Sequence, residues 1–367
     1  MRLNLEERLA ELDRLIDPEW AELSKRRLER SFRYEEVDYL PASVGCPLDS
    51  WFQCDSREYI WEKEKTLLYR LSQVYPAAII GDDRLMVAGT LPDSSLMATL
   101  FGANLAVARD SFWVHPIGDR KRIEEIVQNG VPDVLDGWGW KVVKECEFFL
   151  KAMEVYPNLR RNVKVIFADV QGPFDNACQL AGQEIYYWLY DSPELVDALV
   201  ELMTQTQLKW YEMLKTRFSA EFAEGRAVFT AYSGAKAHLV VDHCENISPD
   251  MYARFCRPSM EAIFTSFDNR GSVHFCGKNK QIQECIIDTP GVVFVDIIQP
   301  EKCDPDFQKR INRLQERKIA FNYSNRDGQI IRKDGKEGIS TGICQSIYMD
   351  SIEQAKALIG ELRRISD

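Results

Sequence analysis

GSVHFCGKNKQIQECIIDTPGVVFVDII, residues 271–298, is the stretch that decides the fold. It opens on an apolar run, SVHFC, crosses a polar segment with helical character around Cys285, and closes on a second apolar run, VVFVDII. Strands joined through a helix imply parallel pairing, because a parallel neighbour is reached only by a crossover. Within the first run His274 and Cys276 stand two residues apart. Side chains alternate along a strand, so this pair shares one face and Phe275 takes the other.

The same alternation extends in both directions. LMVAG (85–89), VKVIFADV (163–170), AVFTAY (227–232), HLVVD (238–242), KIAFNY (318–323) and GISTGIC (338–344) read as strands. Helical patterns lie between many of them, at 192–218, 248–267 and 304–318, and a last helix covers 350–365. Ser192 before Pro193, and Ser248 before Pro249, carry the N-cap and first-turn signals of a helix start. Strands alternating with helices predict an α/β fold, and about eight of them predict a closed (β/α)8 TIM barrel. Residues 3–16 and 20–34 read as amphipathic helices, YLPASVGCPLDSWFQCDS (39–56) as loop, and a helix resumes near Glu58. The expected organisation is an N-terminal helical extension, 1–75, and a barrel, 76–367, with no internal repeat or linker.

Composition narrows the function. Across 367 residues Asp and Glu outnumber Lys and Arg by 57 to 46, for a formal net charge of −11. An acidic surface repels phosphate backbones and anionic lipids, so neither nucleic acid nor membrane is expected as a partner. The start, MRLNLEERLAEL, lacks the apolar core of a signal peptide, and no apolar stretch has bilayer length. The expectation is a cytoplasmic protein whose ten cysteines, none in a CxxC, are mostly reduced core residues.

Barrel active sites sit at the C-terminal ends of the strands. Polar residues at those ends are Asp169 and Gln171, Asp242 and His243, His274 and Cys276, Asp296 and Gln299, Tyr323 and Asn325, and Cys344. Each has a bland alternative as a helix cap or loop anchor. Zinc favours thiolate and imidazole ligands, and a catalytic site takes three of them and leaves one position open. His274 and Cys276 supply two, and Cys344, at the end of the last expected strand, is the third candidate. A buried histidine beside an inert core cysteine is the competing account. Two thiolates and one imidazole cancel the dipositive charge, which suits holding a nucleophilic substrate thiolate more than activating water. Adjacent strand residues face opposite ways, so only one of Asp242 and His243 is expected in the mouth, and Asp242 is favoured as a catalytic group. Tyr323 is a further catalytic candidate. Asp169, Gln171 and Asn325 are candidate substrate contacts. No GxGxxG, P-loop, HExxH or GxSxG occurs.

Several segments carry a resemblance. DVQGPFDNACQLAGQEIYYWLYDSPELVDALVELMT, ISPDMYARFCRPSMEAI, the strand ending in His-x-Cys-Gly, and ISTGIC…DSIEQAKALI together resemble the uroporphyrinogen decarboxylase superfamily over roughly 85–365. That resemblance implies a (β/α)8 barrel. One branch holds metal-free tetrapyrrole decarboxylases with an arginine-rich N-terminal motif; the matching region here, PASVGCPLDSWFQCDSREY, has only Arg57. Another holds zinc methyltransferases that pass a methyl group from a corrinoid protein to a thiol, with an H-x-C and a distant Cys that map onto His274, Cys276 and Cys344. The corrinoid-carrier motif D-x-H-x-x-G is absent, because Trp113 of WVHPIG stands where its aspartate belongs. The implied function is zinc-dependent methyl transfer to a small thiol, with the corrinoid on a separate protein. The alternatives are a metal-free decarboxylase or lyase acting on a carboxylated substrate, and a non-catalytic barrel that binds a corrinoid or small ligand.

Overall fold

The structure is a computed structural model and describes residues 4–84, 86–108, 111–167, 170–223, 234–297, 307–325, 330–333, 335 and 338–366. The decisive stretch folds as read. β7 (Gly271–Phe275) and β8 (Val292–Ile297) pair in parallel, and the helix Lys280–Ile287 crosses between them. Asn279 starts that helix, its side chain accepting from the N–H groups of Gln281 and Ile282.

β7 and β8 belong to a six-stranded sheet in the order β1 (Ala42–Gly45), β10 (Ile343–Tyr348), β9 (Ala320–Asn325), β8, β7, β6 (Ala237–Val240). Every pair in it is parallel. A second parallel pair, β2 (Val87–Gly89) and β5 (Lys164–Ile166), completes the set of eight. A single bridge, Gln171 to Val240, joins the β5 side to β6. At the other seam the Asp83 N–H donates to the Ala42 carbonyl at 2.8 Å. Two carboxylates extend that seam: Asp82 accepts from the Val44 N–H at 2.7 Å and Asp83 from the Ala42 N–H at 3.1 Å. Side-chain acceptors thus satisfy strand-edge donors where no neighbouring backbone does. Arg27 (6% exposed) clamps the arrangement from the N-terminal helix Pro18–Phe32, with Nη1 2.6 Å from Asp83 Oδ1 and Nε 2.7 Å from Asp38 Oδ1.

Two sequence expectations change. Ala42–Gly45, inside the stretch read as loop and inside the segment read as a helical extension, is a strand, with Ala42 opposite Gln345. Four residues, two of them fully buried, are too short to show a period. AVFTAY lies outside the described residues. GISTGIC is displaced, for β10 begins at Ile343 and runs to Tyr348. Gly342, with φ 84°, turns the chain into the strand instead of lying within it.

Helix starts follow their signals unevenly. Ser248 accepts from the Met251 N–H at 3.2 Å, whereas Ser192 holds the cap position without a side-chain cap bond. In the segment after Ser248 a π turn, Tyr252–Cys256, precedes Arg257–Thr265. Pro258 removes the N–H that would close the α pattern there, and the wider turn absorbs the loss. An antiparallel hairpin, β3 (Asn104–Ala108) and β4 (Ser111–His115), carries Trp113. No described helix is long and apolar enough to cross a membrane.

Candidate metal centre

β6 and β7 lie side by side, with Val240 opposite His274. Past those partners β6 runs into Asp242 and a 3-10 turn at His243–Asn246, and β7, after one more paired residue, runs into Cys276. Asp242 Oδ1 accepts from the Cys276 N–H at 2.8 Å, which ties the two strand ends together. One ligand atom from each of Asp242, His274 and Cys276 lies within 4.8 Å of the others.

The geometry around His274 is directional. Its Nδ1 lies 3.1 Å from Asp296 Oδ2, across the β7–β8 pair, and its Nε2 lies 2.9 Å from Cys276 Sγ. A carboxylate only accepts, so the ring proton sits on Nδ1 and Nε2 keeps its lone pair toward the cysteine. Asn322 Nδ2 donates to the other Asp296 oxygen at 3.3 Å. Burial by itself raises the Asp296 carboxyl, but the hydrogen bond and charge of His274, aided by Asn322 and His238, hold it below its ordinary value. His238, fully enclosed beneath, has Nδ1 2.7 Å from Ser272 Oγ, and burial pushes its pKa down to about 3. Desolvation of the Cys276 thiol, then the charge of Asp242, pushes that group up to about 11. A thiolate there calls for a cation to offset its neighbours.

Cys344 stands apart. It is the second residue of β10, near the strand's start, and is buried with Leu28, Phe32, Phe294 and Ala320. It is not among the three clustered donors. Burial, then the charges of Asp83 and Asp82 at the β1–β2 seam, raise its thiol well above the ordinary range. The structure thus packs Cys344 into the core, and the third donor clustered with His274 and Cys276 is Asp242.

The mouth opens into a cavity of about 1080 Å³ whose lining includes Asp242, His243, Gln171, Tyr186 and Tyr187. His243 joins Asp242 there, contrary to the alternation argument, because β6 ends at Val240 and both residues lie beyond it. Tyr186 Oη lies 3.2 Å from His243 Nδ1, and Asn246 Nδ2 donates to the same hydroxyl at 3.3 Å. Sequence reasoning missed Tyr186, which sits on a helix (Ile185–Asp191) and not at a strand end. Gln171 is buried and lines the cavity. Tyr323 is half-buried on β9 against the main core. Asp169 lies outside the described residues, as does the Asn325 side chain, whose backbone pairs with Ile347.

Residues 139–315, which include Asp242, His274, Cys276 and Asp296, match the family model for uroporphyrinogen decarboxylase (URO-D). The match covers just under half of the chain. Among solved structures it is similar to a methyltransferase from Methanosarcina mazei, with a TM-score of 0.61 at 16% identity, over 94% of this chain and 99% of that one. At that identity the likeness is one of fold, and it spans nearly the whole chain. No curated protein sequence matches the chain.

Proposed function

We propose that this URO-D protein is a zinc-dependent methyltransferase-like enzyme that moves a methyl group between a corrinoid on a separate protein and a small thiol. The observation that carries the reading is the convergence of Asp242, His274 and Cys276 within 4.8 Å at the barrel mouth. Imidazole, thiolate and carboxylate are all zinc donors, and three of them leave a fourth position for substrate. The Asp296–His274 contact is the outer support that metal-bound imidazoles ordinarily have.

When bound, zinc supplies a Lewis acid that keeps a substrate thiol deprotonated at neutral pH. The chain does the rest. Cys276 and Asp242 bring two negative charges, so the donor set still cancels the dication although Cys344 is absent from it. Asp296 fixes the His274 tautomer. Asp242 also lines a cavity of about 1080 Å³, room in which a methyl carrier could meet a thiol, and such positioning is a main source of rate in group transfer.

Metal analysis of the purified chain tests this. One zinc per chain, lost in Cys276→Ser, is expected, with methyl transfer from methylcobalamin to a thiol lost in parallel. Activity that survives chelation would instead favour the metal-free decarboxylase reading.

A further inference from the structure

The cavity wall has a chemistry of its own. Phe112 and Trp113 enter it from the β3–β4 hairpin, and Tyr186 and Tyr187 from the helix Ile185–Asp191. Trp113 and Tyr187 are 63% and 65% exposed, so these rings are not consumed by packing. Between them lie acceptors. Gln171 is only 7% exposed, and its Oε1 has no hydrogen-bond partner among the described residues. Gln179, also on the wall, likewise has an Oε1 unpartnered among the described residues. Asp242 adds a carboxylate, and the chain as a whole carries a formal charge of −11.

A buried amide oxygen without a donor costs free energy unless something completes it. Aromatic faces present negative charge, and rings around a cavity attract an organic cation most strongly when it is alkylated and poorly hydrated. We infer that this cavity recognises a small alkylated ammonium group, and that the small-molecule substrate of the methyl-transfer site carries one. The aromatic faces take the N-alkyl surface, and the Gln171 and Gln179 oxygens face the positive charge. If a metal occupies the neighbouring donors it shares Asp242, and the rings and amide oxygens remain. The assignment of the ligand as substrate rests on the methyl-transfer reading; its binding does not.

The test is calorimetric titration of the full chain, metal-free and zinc-loaded, with choline and with its neutral isostere 3,3-dimethylbutan-1-ol. Choline is expected to bind at least about tenfold more tightly than the isostere, since only it gains from the ring quadrupoles. Trp113→Ala and Tyr187→Ala, both at exposed positions, should each weaken choline roughly two- to thirtyfold. Val155→Ala, 76% exposed and not part of this wall, should leave it unchanged. Equal binding of the isostere, no binding of choline, or indifference to both ring substitutions would each overturn the inference. Zinc content is measured on the same samples, so loss of the metal reading and loss of the cation site register separately.

Discussion

Nδ1 of His274 lies 3.1 Å from Oδ2 of Asp296, a contact made between neighbouring strands of the sheet. It sets the ring tautomer and turns Nε2 toward Cys276, so the lone pair that a metal would take is oriented in advance. Outer partners of this kind are worth about 10- to 100-fold in metal affinity. Asp296→Ala is accordingly expected to weaken zinc by that factor without abolishing it, as read by competition with a chromophoric chelator. An unchanged affinity would mean that His274 is not a ligand, or needs no orienting.

The donor set itself separates two cysteines. Asp242→Asn should sharply reduce zinc content, whereas Cys344→Ser should retain one zinc per chain. In Cys344→Ser a hydroxyl replaces a thiol among Leu28, Phe32, Phe294 and Ala320, and stability should fall by about 1–3 kcal/mol. Metal analysis and urea midpoints on the same preparations decide the matter. Zinc lost from Cys344→Ser would restore the ligand set that the sequence suggested.

At the other seam, Arg27→Met removes the cation from between Asp83 and Asp38 and leaves a fully buried carboxylate uncompensated. The expected cost is about 3–5 kcal/mol, seen in chemical denaturation. Adding Asp83→Asn should recover part of it, because the stranded charge is then gone. A double variant no more stable than the single one would show that the stranded Asp83 charge is not the source of the loss.

Buried His238 gives stability a defined pH dependence. Burial lowers its pKa from the ordinary 6.5 to about 3, so between those values the unfolded chain binds a proton that the folded one refuses. Its contribution is complete above about pH 6.5 and is lost as pH falls toward 3, with a limiting slope of about 1.4 kcal/mol per pH unit. His238→Gln should flatten the stability profile across that window relative to the wild type. Parallel profiles would show that the ring is protonated in the fold.

How much of this was legible depended on range. SVHFC and VVFVDII were readable because a strand buried on both faces is apolar along its length, and the His-x-Cys spacing because it lies within one strand. Ala42–Gly45 was not, since four residues among prolines and cysteines carry no period and become a strand only by pairing with β10. Cys344 misled because the end of an apolar run was taken for the end of a strand, while the ladder with β9 continues past it to Ile347.

The sequence alone determined the alternation of strands and helices, the parallel barrel it implies, and the neighbouring His274 and Cys276. Those properties follow from local pattern, where period and spacing carry the information. The tertiary structure decided which third side chain meets the pair, which histidine is held by Asp296, and which rings wall the cavity. Asp242 is 32 residues from His274 in the chain, and only the parallel register of β6 against β7 brings them together. That register arises from packing summed over the whole sheet, which no short stretch of sequence records.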